Sequence, residues 1–508
     1  MGTPPGGWVR TMGRISRVGV AALAAGALLV PVSELAPGSA AAQPIPVVGP
    51  SPSVSPSPSV GSAECADLRV PRDYTNPTAG MTSIAVLRMP TSAPDRRIGH
   101  LVVNPGGPSV VGRTYAMALA VTLAEHITSR YDIVGFDPRG TGGSGPLRCQ
   151  SQADIQPWLA ADPTPNSQAE VRHLVQLTRA FADACRNSHG EWLEQIGTRD
   201  VARDLDMLRA ALGDVRINYL GTSYGTLLGA LYADAFPDRV GRLVLDGAVD
   251  PRDDVMGLTE SQMVGFDHAI VRMARHCAVA PSCGIPGTGT AGVVRSINRL
   301  LQSLDVAPVP SRSGSPLTQQ AGLTGLLAGL YDEGAWDAVL EGVAQAHNGD
   351  GYALAALGRG FLTSDARFLA SFLSITCADS PRSPRPQALV RWADRQAQSA
   401  RVPEIAHYLA WSVLPCSLWP THSAITPGPV RAIGAPPILV VGTTHDPATP
   451  FADARSLASQ LPGAVLLTLD GDGHTAVGRG STCIDRGVGR FLARGTVPDP
   501  GTVCRSRS

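Results

Sequence analysis

No lysine occurs among the 508 residues, so every fixed positive charge past the amino terminus is an arginine. One consequence concerns the glycine-rich segment FDPRGTGGSG at 136–145. A phosphate-cradling P-loop places a lysine on the phosphates, and none is available here. Charge of one sign is lacking as well. The 42 basic and 42 acidic residues cancel, and no basic run extends past the first few positions, which leaves no electrostatic footprint for nucleic acid. The amino-terminal apolar stretch Val18–Val32 is short for a membrane span and contains Gly26 and Pro31. Metal-ligand spacing is missing too: Cys277 and Cys283, with His276 beside them, have no second ligand pair at matching short spacing, so neither a metal nor a cofactor is expected. These absences point toward a small-molecule or peptide substrate.

What is present begins with an export signal. Arg10, Arg14 and Arg17 precede the apolar stretch, and Ala40, Ala41 and Ala42 supply small residues for cleavage, so 1–42 reads as a signal peptide. Residues 43–62 alternate proline and serine and read as a stiff, solvated linker. The product is expected to be secreted or associated with the cell envelope, with no stable membrane insertion once the signal is removed. Nine cysteines in an exported chain suggest disulfides. Proximity suggests Cys149 with Cys185, Cys277 with Cys283, Cys377 with Cys416 and Cys483 with Cys504, leaving Cys65 odd; sequence alone leaves the connectivity open. Oligomeric state has no signature here.

From Met81 onward, TSIAVLRM, GHLVVNPGG, YDIVGFDPRG, INYLGTSYG and RLVLDGAVD alternate with helical stretches. Continuous apolar runs ending in glycine-rich turns are what a parallel sheet covered on both faces requires. The fold class is α/β. The strand pattern stops near residue 250 and resumes with PPILVVGTTHD and AVLLTLDGDGH. The sequence therefore predicts an α/β-hydrolase core in two parts, 63–250 and 431–508, with a mainly helical lid, 251–430, inserted between the sixth and seventh core strands.

In INYLGTSYGTLLGALYA an apolar strand runs into Gly221-Thr222-Ser223-Tyr224-Gly225 and then into a helix. In so tight a turn the side chains two before and two after the serine would clash, hence glycine at both places: a nucleophile elbow. Among 55 glycines a bare G-x-S-x-G can arise by chance, so the flanking strand and helix carry the weight. A serine hydroxyl needs a base to take its proton as it attacks. His474, in DGDGHT after the last β-rich run, suits that role. His445 adjoins Asp446 and is poorly oriented by its own neighbour, and His100, His126 and His268 read as surface or core residues. The base needs a carboxylate that fixes its tautomer. Asp446 follows a buried strand and precedes a proline turn, giving the order Ser, Asp, His. Asp246 and Asp250, ending LVLDGAVD, are the alternative acids.

An oxyanion hole requires backbone N–H groups aimed at the carbonyl oxygen as it gains charge. Tyr224 should give one, and the VVNPGGPS loop, where Gly106 and Gly107 allow close approach, the other; the alternative is a plain tight turn. Asp137 and Arg139 in FDPRGTGGSG are expected to brace nearby loops.

The set NPGGP, DPRGTGGSG, TRDVARDLDMLRAALG leading into INYLGTSYGTLLG, HDPATP and GDGHT resembles the secreted tripeptidyl aminopeptidases of actinobacteria and, more distantly, the proline iminopeptidases. The resemblance runs from about Cys65 to Cys504 and is weakest in the lid. It implies Ser223, Asp446 and His474 as the triad, and release of short peptides or single residues from a peptide substrate with a free amino terminus. It further implies acidic lid residues that bind the substrate ammonium, with Glu333 in YDEGAW and Asp379 in TCADSP as candidates; a solvated carboxylate is the alternative for each. Two departures stand out. Ser109, Val110 and Val111 follow NPGGP where the family continues with glycines, which should narrow or alter the site. A cysteine that the family carries before the position of Cys65 is absent, which accounts for the odd count. An esterase or lipase using the same triad is the competing enzyme, and a noncatalytic cell-surface binding protein the competing class.

Overall fold

Alternate residues of the apolar runs go to opposite faces of one sheet, and each face has its own core. Leu101, Val103, Ile133, Val244, Leu439 and Val441 pack on one side against the helices Gly112–Thr122 and Thr482–Arg494. Val102, Val134, Leu243, Leu245 and Val440 pack on the other against Thr198–Ala211, Tyr224–Ala235 and Phe451–Gln460. Burial on both faces is why the runs are continuous rather than alternating. The computed structural model describes residues 43–45, 63–280, 283–361, 365–422 and 427–506. The expected signal peptide and residues 46–62 of the expected linker lie outside them.

The sheet has ten strands: β1 (Gln43–Ile45), β2 (Glu64–Pro71), β3 (Met81–Met89), β4 (Gly99–Asn104), β5 (Tyr131–Phe136), β6 (Ile217–Thr222), β7 (Val240–Asp246), β8 (Leu439–His445), β9 (Val465–Asp472) and β10 (Val503–Arg505). Their order is β1-β2-β3-β5-β4-β6-β7-β8-β9-β10. Only the β2–β3 and β3–β5 pairings are antiparallel. β1 corrects one expectation: the first residues of the linker pair with β2 and form the edge strand of the sheet instead of standing free in solvent. An edge strand offers unpaired backbone groups, and Pro44 is tolerated there because an edge position need not donate.

Between β7 and β8 the described residues form helices, from Val255–Val279 to Leu414–Leu418, with one isolated bridge, Val309 to Leu317. These helices bury a core of their own around Ile270, Ile297, Leu301, Leu326, Val339 and Leu389. The boundary drawn from sequence needs one adjustment. A second helical excursion leaves the sheet between β5 and β6, with Gln168–His189 held by the Cys149–Cys185 disulfide, and its Phe181 and Leu193 pack with Leu373 and Trp419 of the lid. The cap over the sheet thus draws on two separate chain segments. The other three disulfides are Cys277–Cys283, Cys377–Cys416 and Cys483–Cys504, and Cys65 is free. The bridge within Cys277–Cys283 takes up both thiols that the zinc reading would have needed.

Candidate active site

Ser223 sits between β6 and the helix Tyr224–Ala235 with φ +57° and ψ −129°, a conformation a non-glycine residue adopts only when its surroundings enforce it. Its N–H donates to the carbonyl of Asp246 at 2.9 Å. A Cβ at Gly221 would lie 2.3 Å from the Gly225 oxygen, and one at Gly225 would lie 2.7 Å from the Asn104 oxygen, so both glycines are required for the turn to close. Gly106 presses on the elbow from β4: a Cβ there would come within 2.6 Å of the Thr222 oxygen. Its N–H, however, donates to Asn104 Oδ1 at 2.9 Å, which removes it as an oxyanion donor and corrects that expectation. Gly107, next along and exposed, has no acceptor for its N–H among the described residues, and neither has Tyr224 at the first turn of its helix.

Asp446 and His474 are both buried at the carboxyl ends of β8 and β9. His474 Nδ1 stands 2.9 Å from each Asp446 oxygen. Asp446 also accepts from the N–H of Ala448, Thr449 and Thr475 and from Thr449 Oγ1. Burial pushes the Asp446 carboxyl up, but the adjoining imidazole and these donors outweigh it and hold the group below its ordinary value. The ring's other nitrogen, Nε2, is the one left for a reaction partner. The Ser223 Oγ to Nε2 hydrogen bond is not formed. Such bonds often tighten only with substrate bound.

Of the alternatives, Asp250 is tied to Arg252 at 2.8 Å, and His445 lies at the end of β8 near Arg272 and Asp472. Asp137 accepts from Arg113 and Gly143. Arg139 pairs with Asp204 and donates to the Gln195 carbonyl, the bracing expected of them.

The lid reaches this site in several places, two of them at Tyr331 and at Asp379. Tyr331 packs edge-on against the His474 ring, and its carbonyl accepts the His474 N–H at 2.9 Å. Arg479, on the same loop as His474, donates to Asp332 at 2.8 Å. In the second place Asp379 accepts from the N–H of Thr198 at 2.6 Å and from its hydroxyl, which in turn meets the hydroxyl of Tyr224. Burial, opposed by the bonds from Thr198 and by the Arg199 charge, raises the Asp379 carboxyl to about 6. Glu333 is exposed, near Asp472, Arg272 and His276, so the structure does not bring the two candidate acids together.

Comparison with known proteins identifies the family. Residues 99–305 match the family described as alpha/beta hydrolase fold, and residues 401–504 the family described as TAP-like protein. Over 471 residues the chain is 36% identical to the serine protease Hip1 of Mycobacterium tuberculosis, covering 87% of this chain and 88% of that protein. Over 457 residues it is 30% identical to the tripeptidyl aminopeptidase of Streptomyces lividans, with 87% and 83% covered. The chain belongs to this tripeptidyl aminopeptidase family of α/β-hydrolases. It is a serine hydrolase. A further relative, carboxylesterase B of M. tuberculosis, is 36% identical over 459 residues, with 87% and 86% covered. Within the family, the loop that departs from the glycine pattern has a structural use here: Ser109 Oγ donates to the Phe368 carbonyl of the lid helix Ala366–Ala378, tying the oxyanion loop to the lid.

Sequence reasoning missed Thr449, Thr198, Tyr331 and Arg479. Only Thr449, three residues after Asp446, carried a local signal, as a hydroxyl in the turn that HDPATP announces.

Proposed function

We propose that this member of the tripeptidyl aminopeptidase family is an exported peptidase that removes short peptides from free amino termini through an acyl-enzyme on Ser223. The observation that carries the reading is the buried Asp446–His474 pair beside the Ser223 elbow. Ser223 Oγ attacks the scissile carbonyl carbon as His474 Nε2 takes its proton. The carbonyl electron pair moves to oxygen, which gains charge facing the N–H groups of Tyr224 and Gly107. His474, now an imidazolium stabilised by Asp446, gives its proton to the leaving amine as the C–N bond breaks. Water then repeats the sequence on the ester and frees Ser223.

Asp379 suits the substrate ammonium better than Glu333 does. It is half-buried, is connected through Thr198 to Tyr224, and has no cation in ion-pair contact among the described residues, so an ammonium would supply a close counter-charge. Four disulfides and the amino-terminal signal pattern support an oxidising, extracytoplasmic location. The carboxylesterase name of one relative keeps ester substrates in view.

The test is a panel of chromogenic tripeptide amides with free or acetylated amino termini, run beside short-chain esters and a Ser223→Ala control. Cleavage confined to free amino termini and lost in the control supports the reading; ester cleavage alone replaces it with an esterase.

A further inference from the structure

Asp246 is a second fully buried carboxylate at the site, at the end of β7, and the triad does not use it. Its backbone oxygen accepts the Ser223 N–H. Its side chain accepts the Ala476 N–H at 3.0 Å on each oxygen and the Val477 N–H at 2.8 Å. The residue before these, Thr475, has φ +66°, an unfavourable conformation for a β-branched side chain. Its own N–H goes to Asp446 Oδ2 at 3.0 Å, and its carbonyl accepts from Thr443 Oγ1 at 3.0 Å. Three consecutive N–H groups, 475 to 477, therefore converge on two carboxylates, an anion-holding backbone concavity shared between Asp446 and Asp246. His474 stands at the head of that turn.

We propose that Asp246 is a positioning residue for the catalytic base: its carboxylate holds the strained 475–477 turn so that His474 faces Ser223. The inference rests on the triad reading above. Strain at Thr475 persists only while its surroundings over-determine it. Hydrogen bonds to an ionised acceptor are roughly twice as strong as neutral ones, so the charged form of Asp246 is the one that holds the turn.

The titratable groups facing Asp246 are His474 from the loop after β9, Asp446 from the loop after β8, and the hydroxyl of Tyr115 on Gly112–Thr122. Burial, opposed by the bonds from Ala476 and Val477, raises the Asp246 carboxyl to about 6. Acid thus neutralises the anchor of the His474 loop, a step separate from the loss of the free base that the mechanism requires.

The experiment is the rate at which a fluorophosphonate labels Ser223 in the mature full-length enzyme, from about pH 4 to 8, in wild type and Asp246→Asn. On the acid limb, the logarithm of the wild-type rate is expected to fall with a slope approaching two, and that of the variant with a slope of one. At neutral pH the variant should label about 10- to 100-fold more slowly, the scale of a misplaced catalytic group. A wild-type slope of one, or a variant that labels at the wild-type rate, overturns the proposal. If Asp246→Asn does not fold, the wild-type slope decides alone. Absence of labelling in wild type at every pH would instead sink the triad reading and this inference with it, whereas labelling with a slope of one removes this inference only.

Discussion

Asp446 takes hydrogen bonds from four residues, and the hydroxyl of Thr449 is the one that also approaches His474 Nδ1, at 3.3 Å. Removing it in Thr449→Val leaves the backbone donors in place and should cost about 1 kcal/mol of transition-state stabilisation, a roughly fivefold fall in kcat/KM. Asp379 makes a different prediction. If its carboxylate meets the substrate ammonium, Asp379→Asn should raise KM for tripeptide amides with free amino termini by roughly 10- to 100-fold, the worth of a charge-assisted bond. Steady-state kinetics on ester substrates should change little. Equal losses on both substrate types would assign Asp379 only to holding Thr198 and Tyr224. At this scale the sequence was legible where chemistry rides on a local pattern. Ser223, Asp446 and His474 each follow an apolar strand and sit in a distinctive turn. Asp379 was picked out, but its partner Thr198 lies 181 residues away, and no local pattern encodes that contact. The choice between Gly106 and Gly107 was also hidden, because it depends on which N–H the Asn104 side chain captures.

Buried polar joints connect the elements, and one joins the loop after β5 to the helix Thr198–Ala211. Arg139 and Asp204 are both completely buried, paired through two hydrogen bonds, with Arg139 also reaching the carbonyls of Pro71 and Gln195. Breaking one half of such a pair strands the other charge. Arg139→Met should therefore lower unfolding stability by about 3–5 kcal/mol, read from urea denaturation, while activity per folded molecule stays near wild type. The runs beginning at Thr82, Gly99, Tyr131 and Ile217 were recognisable as strands because both sheet faces bury them. β2 and β10 were not singled out: β2 alternates half-buried and buried positions at the antiparallel edge, and β10 is a three-residue strand fastened by the Cys483–Cys504 disulfide. The Gln168–His189 excursion was not singled out, since its packing on Leu373 and Trp419 joins segments far apart in sequence.

For the molecule as a whole, acid acts on stability through opposed sets of buried groups. Asp246 and Asp379, each raised to about 6 by burial, and Asp453, raised to about 7, hold protons in the folded state that the unfolded chain releases near the ordinary value of 3.8. Their contribution to stability is greatest in acid and falls as pH rises from about 4 to 7. Asp446 works the other way. Its lowered value contributes stability above the ordinary range that is lost only as pH drops below it. Burial holds the imidazoles of His189, His347, His407, His422 and His445 below their ordinary value, so they lose stability as pH falls through that value and oppose the carboxylates over the same interval. Asp453→Asn isolates the carboxylate part: it should raise Tm more at pH 7 than at pH 5, and an equal change at both would contradict this. The split core and inserted lid were visible in the sequence as a strand pattern that stops and resumes. The way the lid grips the catalytic loop, through Tyr331 and Arg479, was not. The most direct test of the account is to map the covalent adduct after fluorophosphonate treatment by peptide mass spectrometry. The account predicts a single modified residue, Ser223, with labelling abolished in Ser223→Ala and strongly slowed in His474→Ala. An adduct elsewhere, or labelling that survives Ser223→Ala, would contradict it.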